Sequence, residues 1–141
     1  MIARILTLDW LPTPYTRAPL AARWADKPKR YYASTNRLIA EMRAAWEPLP
    51  MDRRYRIGVA VFLDPVKSGP NKGRLPQTGG DWDNYFKGVA DAMVRGGILD
   101  RDDGSRVAGP CDIRTGLASG VYPRGRVWLS VRCVVVIQEA E

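Results

Sequence analysis

The sequence contains no histidine. That removes the usual general base at neutral pH and the commonest imidazole metal ligand, so His-dependent triads and His-based zinc sites are excluded. Cysteine is scarce too: Cys111 and Cys133 lie far apart without C-x-x-C spacing, and read as core thiols of a reducing compartment rather than as a disulfide. No apolar run approaches the roughly 20 residues that span a bilayer. Met1 to Leu8 is too short, and too interrupted by Arg4, to be a signal peptide. A phosphate-cradling P-loop is missing as well, since no glycine-lysine is followed by serine or threonine. These absences predict a cytoplasmic protein with no membrane partner and no small-molecule substrate.

What is present is basic. The 141 residues, with 22 Lys and Arg against 15 Asp and Glu, carry a formal charge of +7, which favours a polyanionic partner. That length predicts a single domain over 1–141, able to bury about two thirds of the surface its unfolded chain exposes. Most of the charge asymmetry sits early, in a segment that supplies +5 of the +7. Arg17, Arg23, Lys27, Lys29, Arg30, Arg37 and Arg43 face only Asp26 and Glu41 within residues 17–43. Lys27, Lys29 and Arg30, followed by Tyr31 and Tyr32, form a basic and aromatic cluster suited to a phosphate backbone and to base stacking. The same cluster also reads as a solvated loop whose tyrosines anchor it to the core.

Residues 2–8 are aliphatic enough for a first strand, ended by Trp10, Pro12 and Pro14. Ser34 is a plausible N-cap for an amphipathic helix reaching Trp46, with Leu38, Ile39, Met42 and Ala45 on one face and Pro48 as its stop. Arg56 to Leu63 alternates as a second strand. Residues 64–80, broken by Pro65, Gly69, Pro70, Gly73 and Pro76, predict a mobile basic loop in which Lys67, Lys72 and Arg74 could touch DNA as a flap, or simply connect. Tyr85, Phe86, Val89, Ala90, Met93 and Val94 recur at helical spacing, and Gly96 and Gly97 end that helix. A weaker strand over 107–119, a turn over 120–125 and a strong strand over 127–137 follow as a hairpin. The pattern predicts an α+β domain, a mixed β-sheet with two main helices packed on it.

Against this basic background the chain gathers Asp81, Asp83, Asp100, Asp102 and Asp103 within residues 81–103. Two carboxylates about 4 Å apart repel by roughly 1 kcal/mol in water and about 4 kcal/mol at an effective dielectric of 20, a cost a divalent cation relieves. Asp81 and Asp83 point to one side if the chain is extended, and one intervening helix lets the second cluster fold back onto the first. Carboxylates holding Mg²⁺ provide phosphodiester hydrolysis without histidine. Lys87 lies one helical turn after Asp83, placed to bind the scissile phosphate or to neutralise developing charge, and Asp91 one turn beyond could pair with it. The simpler readings are an N-cap at Asp83 and a surface salt bridge at Lys87 and Asp91. Trp82 is expected to pack into the core rather than stack on DNA. An EF-hand is excluded, because Ser105 occupies the loop position that requires glycine and Cys111 the one that requires glutamate.

The run Asp81-x-Asp83-Asn84-x-x-Lys87-x-x-x-Asp91-Ala92-Met93, followed by the pair Asp102-Asp103, resembles the signature of the RusA family of Holliday junction resolvases. The order of elements is similar over nearly the whole chain. The resemblance implies a homodimeric, Mg²⁺-dependent endodeoxyribonuclease of phage-type DNA recombination and repair, with Mn²⁺ as an alternative ion, that nicks four-way DNA junctions symmetrically. It implies that Asp81, Asp83 and an aspartate of the second cluster hold the metal while Lys87 assists at the phosphate. The turn Asp102-Asp103-Gly104-Ser105-Arg106-Val107 is one residue longer than the family pattern and lacks its glutamine, which leaves Asp102 and Asp103 as alternative third ligands. Two further readings stay open: a Mg²⁺-dependent nuclease for other branched DNA, and a catalytically silent junction-binding protein.

Overall fold

The computed structural model describes residues 2–15, 26–76, 82–117 and 131–140. Along the chain these form β1 (Ala3–Leu8), α1 (Asp26–Ala45), β2 (Tyr55–Leu63), α2 (Trp82–Arg95), β3 (Val107–Leu117) and β4 (Cys133–Glu139). The strands make one mixed sheet in the order β1-β4-β2-β3. β4 runs antiparallel to both β1 and β2, and β3 runs parallel to β2. The α+β class with two main helices is thus observed.

The expected hairpin of the last two strands is not. β3 pairs with β2, while β4 enters between β1 and β2. β2 therefore lies between the two strands that were expected to pair. The expected turn over 120–125 and the start of the expected final strand, 127–130, lie outside the described residues.

β2 was expected to alternate, yet every residue but Arg56 is buried. The reason is composition: Ile57, Val59 and Val61 face the main core, while Ala60 and Phe62 join a second cluster with Val131 and Val134. An interior strand with apolar residues on both faces can be covered on both. On the helical side, α2 buries Tyr85, Val89, Ala90, Ala92 and Met93 against Ile57, Val59 and Met42. Full burial of a Val or Met side chain stabilises by about 1.5–3 kcal/mol each, so packing rather than propensity holds α2 in place.

α1 begins at Asp26, eight residues ahead of the expected N-cap at Ser34. Pro28 lies in its first turn, where a missing N–H costs nothing because that donor has no intrahelical partner. Ser34 instead serves the N-terminal segment, its Oγ accepting the Thr13 N–H at 2.8 Å. Trp10 fastens the same segment: its indole Nε1 donates to Glu41 at 2.7 Å, and the Arg37 guanidinium lies 4.1 Å over its ring.

α2 ends in a Schellman motif. Gly97 takes φ +75°, the Ile98 N–H donates to the Met93 carbonyl at 2.9 Å, and the Gly97 N–H to the Val94 carbonyl at 3.1 Å. Ile98 and Leu99 are then buried, which pins the chain as it leaves for the turn at 100–106.

Candidate active site and nucleic-acid interface

Asp83 sits in the first turn of α2, where the helix dipole favours a negative charge. Because Trp82 and Asp83 are already helical, the extended alternation expected to align Asp81 with Asp83 is not present at Asp83, and Asp81 itself lies outside the described residues. Lys87 stands one turn on, its Nζ 3.9 Å from Asp83 Oδ2, with both side chains substantially exposed. At that exposure the pair contributes at most about 1 kcal/mol. Its value is positional: a carboxylate and an ammonium open to the same solvent.

Asp91 does not serve Lys87 as expected. Its Oδ2 accepts the Tyr31 hydroxyl at 3.0 Å and lies 3.6 Å from Arg95. Tyr31 is buried, and that burial, reinforced by the Asp91 charge, raises its pKa above the ordinary tyrosine range. Of the two tyrosines in the expected stacking cluster, Tyr31 is therefore a core residue. Tyr32 remains exposed, with Arg95 5.4 Å from its ring centroid.

The second acidic cluster forms a hydrogen-bonded turn. Arg106, only 9% exposed, grips Asp100 with Nε at 2.8 Å and a terminal nitrogen at 3.2 Å, while its other terminal nitrogen donates to the Arg53 carbonyl at 2.8 Å. The Arg106 hydrogen bonds hold the Asp100 carboxyl below the usual carboxylate range. Asp103 closes the turn: its carboxylate accepts the Ser105 N–H at 2.9 Å and the Ser105 hydroxyl, and these bonds lower its pKa as well. Asp102 is exposed and makes no hydrogen bond or ion pair among the described residues. The role of Arg106 goes beyond the residues expected from the sequence. The available signal was a cation six residues after Asp100, across a glycine-containing turn.

The two acidic groups are held apart. About 18 Å of helix rise separates Asp83 from Arg95, and the turn begins beyond the cap of α2, fastened by Arg106 to the residue preceding Arg54 and β2. Among the described residues no three Asp, Glu, His or Cys side chains gather where they could hold a metal ion. The donor set still suits Mg²⁺, because this ion typically takes one or two carboxylates and completes its shell with water and substrate phosphates. Asp83 and Asp102 both keep carboxylate oxygens open to solvent.

Lys29 and Arg30 are exposed, on a helix rather than on the expected loop. The Lys27 side chain lies outside the described residues. Lys67, Lys72 and Arg74 are exposed on a segment that closes on itself: the Val66 N–H donates to the Arg74 carbonyl at 3.0 Å and the Gly73 N–H to the Val66 carbonyl at 2.8 Å. Within 66–74 the expected mobile loop thus has its own hydrogen-bonded shape, with Gly69 and Gly73 at φ +88° and +84°.

Trp82 differs most from expectation. Instead of packing into the core it is 56% exposed and lines an open hollow of about 260 Å³ with Pro110, Cys111 and Ile113 of β3. As the first residue of α2, it lies against a strand at the sheet edge rather than over the sheet centre. Cys111 and Cys133 are both thiols, the first half-buried and the second buried. Neither a protein-family model nor a curated protein matches this chain.

Proposed function

We propose that the protein is a RusA-like, Mg²⁺-dependent endonuclease that acts as a homodimer on four-way DNA junctions and nicks opposed strands symmetrically. The observation that carries this reading is the exposed Asp83 and Lys87 pair on the first two turns of α2, with an ammonium 3.9 Å from a carboxylate on a chain of charge +7. Together they offer one group for a cation and one for a phosphate, and the exposed basic residues on α1 and the 66–74 segment add positive charge that favours a polyanion.

Asp83 would be a ligand of Mg²⁺, which would supply charge neutralisation at the phosphorus and a more acidic water. The chain's own residues do the rest. Asp83 offers a carboxylate oxygen fixed in a helix; Lys87 holds a phosphate oxygen and offsets the charge developing on it. Asp81 is the second carboxylate in this reading. Of the alternative third ligands we assign Asp102, since Asp103 is committed to Ser105 while Asp102 stays exposed. With the length of α2 between them, Asp102 of one protomer serves the site of its partner, which gives the two-fold dimer a chemical purpose.

Cleavage assays on a four-way junction, a fork and a linear duplex test the substrate class. Preference for the junction supports the assignment, and equal cleavage of the fork favours the broader branched-DNA nuclease. A silent junction-binding protein would bind the junction with a steep salt dependence and leave it intact in Mg²⁺ and Mn²⁺.

A further inference from the structure

We propose that Trp82 is a stacking platform for a single unpaired DNA base, seated in the hollow formed with Pro110, Cys111 and Ile113. Aromatic side chains of this size usually bury 150–250 Å² each, yet this indole is 56% exposed. It opens onto a concave, mostly apolar surface with room for one planar ring. The neighbouring chemistry selects the occupant. Trp82 directly precedes Asp83, and Lys87 lies one turn further on the same helix. A base seated on Trp82 brings its own phosphate to the positively polarised start of α2 and to the Lys87 ammonium. An apolar peptide would fill the hollow but bring nothing for that charge. The exposed Lys67, Lys72 and Arg74 on the segment before α2, and the net charge of +7, favour the polyanion again.

A paired base hides both faces in its stack, so the platform selects DNA in which a base is already unstacked or easily freed, as at a branch point. Only the role of the adjacent phosphate as the scissile one rests on the nuclease reading.

The test uses the full chain without divalent metal. A four-way junction carrying 2-aminopurine at the branch point, and a short thymidine oligonucleotide, are the probes. Wild type should perturb 2-aminopurine fluorescence at the branch and not in the arms. Trp82→Ala should lose that change and bind the oligonucleotide about 5- to 150-fold more weakly, the factor equivalent to about 1–3 kcal/mol of base stacking, with duplex affinity and circular dichroism unchanged. Trp82→Phe should retain most of both signals. No fluorescence change with wild type, or equal oligonucleotide binding by wild type and a folded Trp82→Ala, would overturn the proposal. Should Trp82→Ala fail to fold, an unchanged 2-aminopurine signal with wild type still overturns the proposal. Base stacking without cleavage in Mg²⁺ or Mn²⁺ would remove the nuclease reading and leave the platform; cleavage with no stacking signal would do the reverse.

Discussion

Gly97→Ala should destabilise the protein through backbone strain alone. A Cβ at this position would meet no atom within 4 Å, so crowding contributes nothing. With φ at +75°, an L-residue there costs about 1–2 kcal/mol. Stiffening of the unfolded chain offsets about 0.4–1 kcal/mol of that. The net loss is about 1 kcal/mol, or roughly 2–4 °C in melting temperature for a domain near this size. Gly97→Asn should lose less, because asparagine tolerates the left-handed region. Gly96→Ala fails for a different reason: its Cβ would lie 2.9 Å from the Ala92 carbonyl oxygen and 3.2 Å from an Ile39 methyl, so the backbone at the end of α2 must shift. Overpacking of that kind costs about 1–3 kcal/mol. Urea denaturation of the three variants separates strain from crowding. Equal midpoints for wild type and Gly97→Ala, or a Gly97→Ala loss several times that of Gly96→Ala, would refute the assignment of strain to one glycine and crowding to its neighbour.

Acid should weaken the turn at 100–106. Arg106 depresses the Asp100 pKa in the folded state, so this pair contributes stability above the unfolded carboxyl pKa of about 3.9 and loses it as pH falls through the lower folded value. Melting curves below about pH 5 should fall less steeply for Asp100→Asn than for wild type. Burial pushes the Cys133 thiol up to about 12, so at neutral pH iodoacetamide should modify half-buried Cys111 first and reach Cys133 only on unfolding, as read by mass spectrometry of the peptides. If the site is shared between protomers, mixing Asp83→Asn with Asp102→Asn chains should restore nicking of one strand, although each variant alone is inactive; continued inactivity of the verified mixed dimer would place all ligands in one chain.

Much of the fold was legible because several signals agreed. In α2, the helical recurrence of Tyr85, Val89 and Met93, an acid in the first turn and paired glycines after the last all point to one element. α1 was legible only in its second half, since Pro28 reads as a breaker until its first-turn position is known. β3 was obscured by Gly109, Pro110 and Gly116, which an edge strand tolerates near a register shift such as the one between Ile57 and Val59. Strand order was not legible: nothing in β4 states that it inserts between β1 and β2. At the site, sequence spacing located Asp83 and Lys87 on one face. It could not reveal that Arg106 would hold Asp100 or that Ser105 would occupy Asp103. Nor did it find the exposure of Trp82, because an indole beside an apolar helix face reads as core unless the edge of the sheet is known.

Incubation of wild type and Asp83→Asn with an end-labelled four-way junction in Mg²⁺ decides whether the protein is a junction nuclease that depends on this carboxylate. Wild type should give paired, symmetric nicks and the variant none, while both bind the junction with equal salt sensitivity. Tight junction binding by wild type with no nicks in either Mg²⁺ or Mn²⁺, or undiminished nicking by Asp83→Asn, would contradict it.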